Sequence, residues 1–191
     1  MINVAIICGG RSSEHEISCV SASGIISAID RSKYLPSLIG ITKSGNWVSL
    51  PTDTKFEIKD GVLPQIPESA PKIAIDSIKA DVIFPILHGP YGEDGTIQGL
   101  IDMHAIAFVG AGVLASAIGM DKTTTKSLLK ITEFPVGDFV SILDAHWKNN
   151  KQEKLDEIKQ MGFPVFVKPA RAGSSVGISK IKEWAMDGNR Q

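Results

Sequence analysis

The chain has 191 residues, a formal net charge of −1 and 43% hydrophobic residues. This length allows one or two domains with a substantial apolar core. The near-neutral charge and the scattered lysines and arginines argue against binding to nucleic acid or to an anionic membrane surface. The opening apolar stretch is too short for a signal peptide or a membrane span, so we expect a cytoplasmic protein.

The first 120 residues alternate between strand and helix patterns. A β-branched run at 2–8 ends in two glycines and predicts a buried parallel strand, and an apolar stripe from Ile17 to Ile29 predicts a helix. Residues 51–72 lack a period and are interpreted as a surface excursion. This alternation favours an α/β fold with a parallel sheet. The remaining strands are expected at 34–42, 81–87 and 105–110, with a turn and a short strand within 43–50, and the remaining helices at 97–104, 113–120 and 122–131.

The character of the sequence changes near residue 132, where we expect a second domain. A strand is predicted at 134–140, followed by a charged helix that Gly162 closes and by a strand at 163–170. The two cysteines, Cys8 and Cys19, lie in apolar and helical patterns, which favours buried free thiols over a disulfide.

The loop "GGRSSEHE" at 9–16 follows the first predicted strand. It does not match G-x-G-x-x-G, which argues against a nicotinamide-binding Rossmann domain. Ser13 and Glu16 fit a capping box for the next helix. Glu14 and Glu16 have two open interpretations, either as favourable charges at a helix N-terminus or as a grip on a cationic substrate group.

The loop "HGPYGEDGTIQG" at 88–99 contains four glycines, which suggests a sharply bent backbone or one close to a ligand. Asp94 is a natural N-cap and Glu93 adds a favourable charge, so both carboxylates are expected to hold the following helix. His88 lies at a strand end facing the expected cleft, where a structural and a binding role both remain open.

The loop "VKPARAGSSVG" at 167–177 follows another strand. Lys168 and two serines among small residues suit a phosphate cradle, although a flexible surface hairpin fits the same pattern. The histidines show no metal-ligand spacing with cysteine or with one another, so no metal site is predicted in this chain.

Together these loops resemble the D-alanine–D-alanine ligases of the ATP-grasp superfamily. "HGPYGEDGTIQG" resembles that family's most specific signature, "GGRSSEHEIS" its N-terminal loop, "MDK" its first ATP lysine region and "VKPARAGSSVGISK" its central glycine-serine loop. The likeness runs from about residue 3 to residue 181. It implies a Rossmann-like, pre-ATP-grasp substrate domain at 1–121, and then the start of an α+β ATP-grasp domain at 122–191.

The resemblance implies an ATP-dependent ligation of two D-alanines through an acyl phosphate, for peptidoglycan precursor synthesis. Glu14 is expected to hold the ammonium of the first D-alanine, and His88 to lie near its carboxylate. Lys122 and Lys168 are expected to contact ATP phosphates.

The resemblance also assigns the glycine-serine loop and the partners. Ser174 and Ser175 belong to a loop that closes over the γ-phosphate, and Ser174 helps to orient the attacking side. ATP and Mg²⁺ are the implied cofactors, and the metal ligands are expected in a C-terminal half beyond these residues. A homodimer is implied because family members are commonly dimers.

The candidate metal-binding side chains after Ser175 are few, namely Glu183, Asp187 and Asn189. We therefore expect a truncated form of the enzyme without turnover of its own. The alternative is a non-catalytic ligand-binding fragment that needs another chain. A partial second domain is also expected to expose apolar surface around Val165–Val167.

Overall fold

The computed structural model describes residues 1–184, so Asp187 and Asn189 lie outside the described residues. The chain divides into two compact units, a first unit at Met1–Met120 and a second unit beginning at Asp121. The first unit contains β1 (Ile2–Gly9), α1 (His15–Ala28), β2 (Tyr34–Ile41), β3 (Trp47–Leu50), β4 (Val82–Pro85), α2 (Thr96–Met103), β5 (Ala107–Phe108) and α3 (Val113–Met120), with a 3-10 turn at Ile75–Ser77.

A five-stranded sheet organises the first unit, in the order β3-β2-β1-β4-β5. β1 pairs in parallel with both β2 and β4, and β4 pairs in parallel with β5. β3 is antiparallel to β2 and closes one edge. The predicted α/β fold with a parallel sheet is confirmed, and β4 ends at Pro85, which lacks the N–H needed to continue a ladder.

The two faces of β1 bury separate apolar clusters, because successive side chains of a strand point to opposite faces. Ile6 and Cys8 pack with Cys19 of α1 on one face. On the other face, Ile7 packs in a cluster with Ile101 of α2. Cys8 and Cys19 are buried free thiols, as the sequence predicts.

Helix α1 has the expected position but a different buried face. Its buried residues are His15, Ser18, Cys19, Ala22 and Ile26, whereas Ile17 is about half exposed. The predicted apolar stripe is therefore wrong, because polar side chains on the buried face find hydrogen-bond partners in distant segments. The predicted capping box is also wrong, since no side chain caps α1.

The excursion at 51–72 is mostly exposed but contributes two buried side chains, Phe56 and Ile66. The Phe56 amide donates to Ser23 Oγ of α1 at 3.0 Å. Ile66 Cδ1 lies so close to Gly40 that a Cβ there would approach it to 2.9 Å. These anchors hold the excursion against the core.

The second unit contains α4 (Lys122–Ile131), α5 (Asp144–Asn149), α6 (Lys151–Gln160), β6 (Val165–Val167) and β7 (Ser179–Ile181). β6 and β7 form an antiparallel pair around the glycine-serine loop. Phe166 and Val167 are more than half exposed. The predicted strand at 134–140 is wrong, because this segment is irregular and pairs with no strand among the described residues. No helix within residues 1–184 is long and apolar enough to cross a membrane.

Candidate functional site

The loops that follow β1 and β4 meet at one edge of the sheet. The chain passes from β1 to β2, which lies on one side of β1, whereas β4 pairs with the other side of β1. A topological switch point therefore lies between β1 and β4. Ligands of open α/β sheets bind at the carboxyl ends of strands at such points. Both loops carry candidate residues from the sequence, Glu14 after β1 and His88 after β4.

Ser12 joins the two loops. Its Oγ donates a hydrogen bond of 2.7 Å to the His88 carbonyl oxygen and accepts one of 3.2 Å from the Glu14 amide. The Arg11 guanidinium also lies 5.6 Å from the centroid of the Tyr91 ring, which adds a cation–π contact between the same loops. Ser12 is 8% exposed, so its hydrogen bonds are largely shielded from water.

Glu14 and Glu16, which the sequence left as alternatives, have different surroundings. Glu16 Oε1 forms an ion pair of 2.5 Å with Lys43 and accepts a hydrogen bond from Gln65. Burial raises the pKa of Glu16, but the hydrogen bond and charge of Lys43 outweigh burial and lower it overall. Within residues 1–184, no side chain or amide pairs with the Glu14 carboxylate. Glu14 is therefore the carboxylate available to a ligand.

The Glu14 carboxylate lies against Gly89, the residue next to His88. A Cβ added at Gly89 would approach Glu14 Oε2 to 3.2 Å, and Gly89 has a φ of +71°, which L side chains rarely adopt. His88 is half-buried, and its Nε2 lies 3.1 Å from Ser21 Oγ of α1. The structure thus brings the backbone of the His88 loop and the Glu14 carboxylate together.

The carboxylates of the 88–99 loop hold backbone amides. Glu93 Oε2 accepts from the Gly89 amide at 2.8 Å. Asp94 accepts from the amides of Tyr91 (2.9 Å) and Thr96 (3.0 Å), so it serves the start of α2 although the N-cap residue is Gly95. Burial raises the pKa of Asp94, but these amide hydrogen bonds outweigh burial and lower it overall.

A cavity of about 510 Å³ opens beside this loop within the first unit. The residues that line it include His88, Glu93 and Gln98, together with Ser116 of α3. Glu14 is not among the residues that line it. Sequence reasoning missed Gln98, although a glutamine between two predicted apolar helix positions is a usable signal.

Two buried polar residues of α1 also escaped sequence reasoning. His15 is fully buried, with Nδ1 2.7 Å from the Gly10 carbonyl oxygen and Nε2 accepting from the Ile66 amide at 3.2 Å. Ser18 Oγ accepts from the Gly9 amide at 2.8 Å and donates to the Ile86 carbonyl oxygen. These side chains hold the glycine turn after β1, the excursion and the end of β4.

In the second unit, Lys122 is attached to the glycine-serine loop. Its amide donates to the Ala170 carbonyl oxygen at 3.0 Å, and its Nζ donates to the Ala172 carbonyl oxygen. Lys168 is exposed, with Nζ 5.7 Å from the centroid of the Phe166 ring. Lys122 and this loop therefore share one face of the second unit.

Ser174 and Ser175 lie exposed at the turn of the same loop, with φ values of 49° and 60°. The Val176 amide donates to the Gly173 carbonyl oxygen at 3.0 Å, which closes the turn. A hairpin at the surface, one of the two interpretations left open, describes this geometry. A phosphate-binding role is compatible with it, because the serine hydroxyls remain exposed.

An ion pair fixes the start of α4 to the same loop. Arg171 Nε donates to Asp121 Oδ2 at 2.8 Å, and Asp121 Oδ1 accepts from the Thr124 amide at 2.9 Å. The Arg171 hydrogen bond, followed by the Thr124 amide, lowers the pKa of Asp121 to about 2. The sequence pattern does not predict that Asp121 and Arg171 form an ion pair.

The described part of the chain is expected to hold no metal site, and its metal-ligating side chains are dispersed into groups smaller than three. Among residues 1–184, no group of three or more His, Cys, Asp or Glu side chains is placed to hold a metal ion.

Family models match both units. The model described as "D-ala D-ala ligase N-terminus" matches residues 3–111, and the model described as "D-ala D-ala ligase C-terminus" matches residues 128–186. The chain belongs to the D-alanine–D-alanine ligase family, as the sequence predicts.

Individual relatives agree with this family. The D-alanine–D-alanine ligase of Paenarthrobacter aurescens is 44% identical over 198 residues, which cover 93% of this chain and 52% of the relative. A Mycobacterium sp. (strain KMS) ligase is 45% identical over 206 residues, which cover 95% and 54%. The chain thus spans about half the length of the curated relatives it matches.

Solved structures of the family have the same fold. The D-alanine–D-alanine ligase of Coxiella burnetii has a TM-score of 0.77 at 33% identity, covering 96% of this chain and 57% of that one. The VanG D-Ala:D-Ser ligase of Enterococcus faecalis has a TM-score of 0.73 at 32% identity, covering 96% and 56%. The ATP-grasp assignment of the fold is confirmed by these neighbours.

Proposed function

We propose that this chain supplies the amino-acid site and part of the nucleotide site of an ATP-dependent enzyme that joins two D-alanines. The observation that carries the proposal is the unpartnered Glu14 carboxylate, which lies against the loop of His88 at the switch point of the sheet. The product of such an enzyme is a precursor of peptidoglycan, and its setting is the cytoplasm.

The first unit is assigned to the first D-alanine. An amino acid is a zwitterion, so it needs an acceptor for its ammonium and a donor for its carboxylate. Glu14 supplies the acceptor, and His88 is assigned to the carboxylate end. The Ser12 hydrogen bonds hold the backbones of Glu14 and His88 in a fixed relation, which reduces the ordering needed on binding.

The second unit is assigned to ATP. Lys122 and Lys168 supply positive charge for phosphate oxygens, and the Ser174–Ser175 turn supplies hydroxyls and backbone N–H groups. Phosphoryl transfer depends mainly on positioning and charge neutralisation, and these groups suit that task. Mg²⁺ is assigned to the complete enzyme and not to ligands within residues 1–184.

The proposed chemistry has two steps. The carboxylate of the first D-alanine takes the γ-phosphoryl group of ATP, and ADP leaves. The amine of the second D-alanine then attacks the acyl carbon, phosphate leaves and the amine loses a proton. Ser174 is assigned to the attacking side, and closure of its loop keeps water from the acyl phosphate.

The 191 residues alone are proposed to bind ligands without turnover, because they match only about half of each curated ligase. The alternative proposal, a non-catalytic fragment that another chain completes, rests on the same observation. The two are separated by adding the remaining half of a relative in trans and measuring ADP release with D-alanine, ATP and Mg²⁺. ADP release by the pure chain would refute the absence of turnover. A homodimer is proposed for the assembled enzyme.

D-Alanine binding tests the assignment of the first unit. We expect NMR titration to show saturable shifts with D-alanine, weaker shifts with L-alanine and a loss of binding in Glu14→Gln. Glu153→Gln is a matched control, because Glu153 is an exposed glutamate of α6. Unchanged D-alanine binding by Glu14→Gln would remove Glu14 from the site.

ATP binding tests the second unit separately. Lys122→Met is expected to weaken the binding of ATP while leaving D-alanine shifts unchanged. Lys148→Met, in the exposed helix α5, serves as the control for lost surface charge. Equal ATP binding by both variants would contradict the assignment of Lys122.

A further inference from the structure

Gln98 occupies an unusual position for an amide side chain. It lies in the first turn of α2, is only 7% exposed, and lines the same cavity as His88 and Glu93. Its Nε2 donates a hydrogen bond of 2.9 Å to the Gly92 carbonyl oxygen. Its Oε1 is buried and has no hydrogen-bond partner among the described residues. The Nε2 atom of Gln98 therefore has a hydrogen-bond partner, and the Oε1 atom has none among the described residues.

Packing alone would be served better by an apolar side chain at this position. Neighbouring Ile97 and Ile101 belong to the buried cluster on this face of the sheet. A buried polar atom without a partner destabilises the folded state. Leucine or methionine would fill a similar volume without that penalty. The useful part of Gln98 is then its N–H group, which holds Gly92.

Gly92 connects Gln98 to the proposed amino-acid site. A Cβ at Gly92 would lie 2.6 Å from Leu87 Cβ and 2.8 Å from the Leu87 carbonyl carbon, so Gly92 is pressed against the end of β4. The Gly92 amide donates to the Gly89 carbonyl oxygen at 3.1 Å. The Gly89 amide in turn donates to Glu93 Oε2, and Gly89 directly follows His88.

We propose that Gln98 is a positioning residue, which orients the His88 loop for D-alanine by holding the Gly92 carbonyl group. This inference rests on the proposed function, because it assumes that His88 and Glu14 contact the amino acid. Gln98 acts through the backbone of Gly92 and Gly89. Its role concerns the geometry of the loop and not the stability of the unit.

The test separates binding from stability in the full 191-residue chain. Gln98→Leu and Gln98→Met remove the N–H donor and also the unpartnered oxygen. We expect at least a fivefold increase in the Kd for D-alanine, with a urea unfolding midpoint close to that of the parent, because the unpartnered Oε1 is removed while the Gly92 carbonyl oxygen loses its donor. The His88 Cε1–Hε1 NMR signal of the free protein is expected to move in both variants. Gln152→Leu, an exposed glutamine of α6, is the matched control and should change none of these.

Each outcome decides one question. If the parent binds D-alanine and both variants bind within twofold of it, the inference is overturned. A loss of affinity that accompanies a lower unfolding midpoint in both variants also overturns it, because Gln98 would then be structural. If the parent does not bind D-alanine, the proposed function fails. In that case the inference depends on the His88 signal, which supports it if displaced in both variants and overturns it if unchanged.

Discussion

Ser12 Oγ donates a hydrogen bond of 2.7 Å to the carbonyl oxygen of His88, and this bond ties the loop after β1 to the loop after β4. Ser12→Ala leaves that carbonyl oxygen and the Glu14 amide without their partner. We expect the free energy of unfolding to fall by about 1–2 kcal/mol, the usual effect of losing a shielded hydrogen bond. D-Alanine binding should weaken as well, because Glu14 and His88 lose their common support.

Urea unfolding and NMR titration measure these two effects. Ser32→Ala is the control, since Ser32 is exposed and its hydroxyl bonds only the nearby Asp30. It should change the free energy of unfolding by less than about 0.5 kcal/mol. If Ser12→Ala and Ser32→Ala behave alike, the bond between the loops does not contribute to stability.

Substitution by alanine should lower the free energy of unfolding at Gly92 and raise it at Gly24. Gly92→Ala places a Cβ 2.8 Å from the Leu87 carbonyl carbon, a backbone atom that cannot easily move. We expect a loss of about 1–3 kcal/mol from overpacking. Gly24 lies inside α1 with no atom within 4 Å of the added Cβ, so Gly24→Ala should stabilise by about 0.5–1 kcal/mol. Thermal unfolding of the two variants measures both signs, and a stabilised Gly92→Ala would contradict the described packing.

Much of the fold is predictable because strand and helix periods are local properties. The runs that became β1, β2 and α6 each have the apolar spacing or the terminating glycine of their element. The buried face of α1 is not predictable in this way. His15 and Ser18 are buried because their partners come from segments distant in the sequence, which no local pattern can identify. The prediction of a strand at 134–140 was wrong because the β-branched residues around Pro135 and Gly137 resemble a strand pattern, yet no described strand pairs with this segment.

Replacement of His15 should destabilise the core, because its imidazole bonds two backbone groups. His15→Leu leaves the Gly10 carbonyl group and the Ile66 amide without their imidazole partners. Each buried group left unsatisfied costs about 1–3 kcal/mol, so we expect a total loss of about 2–6 kcal/mol. The Ile66 amide should also lose protection in hydrogen exchange. His146→Leu, at an exposed position of α5, is the control. Retained protection at Ile66 would show that the imidazole is not its partner.

We expect the ion pair between Asp121 and Arg171 to be sensitive to acid. The pKa of Asp121 in the folded chain is lowered to about 2, below its usual value of about 3.9. A lowered pKa contributes stability that is present above about pH 4 and is lost as the pH falls towards 2. Titration of the Asp121 carboxyl ¹³C signal by NMR should therefore give a midpoint near 2.

Arg171→Ala should raise that midpoint towards the usual value, because the Arg171 hydrogen bond is the largest cause of the shift. Asp138→Asn, a change at an exposed residue of the same unit, should leave it in place. A midpoint that Arg171→Ala does not move would mean that the guanidinium is not the group lowering the pKa.

The candidate site was predictable only in part, for a similar reason. The loop pattern pointed to Glu14 or Glu16, to His88 and to the glycine-serine loop, and the family resemblance then selected Glu14. The loop pattern alone could not choose between Glu14 and Glu16, because the choice depends on Lys43 and Gln65, which engage Glu16 from other segments. Ser12 and Gln98 lie within the two quoted loops, but the loop patterns assign no role to either residue, because their hydrogen-bond partners are fixed only when the loops are folded.

The excursion at 51–72 is fastened at Phe56 and Ile66, and the chain between these anchors is exposed or half-exposed and bends at Asp60 and Gly61. Such a stretch tolerates changes of length that a strand or helix would not. An affinity tag or a fluorophore inserted there would report on this unit from outside while leaving its sheet and strand-end loops untouched.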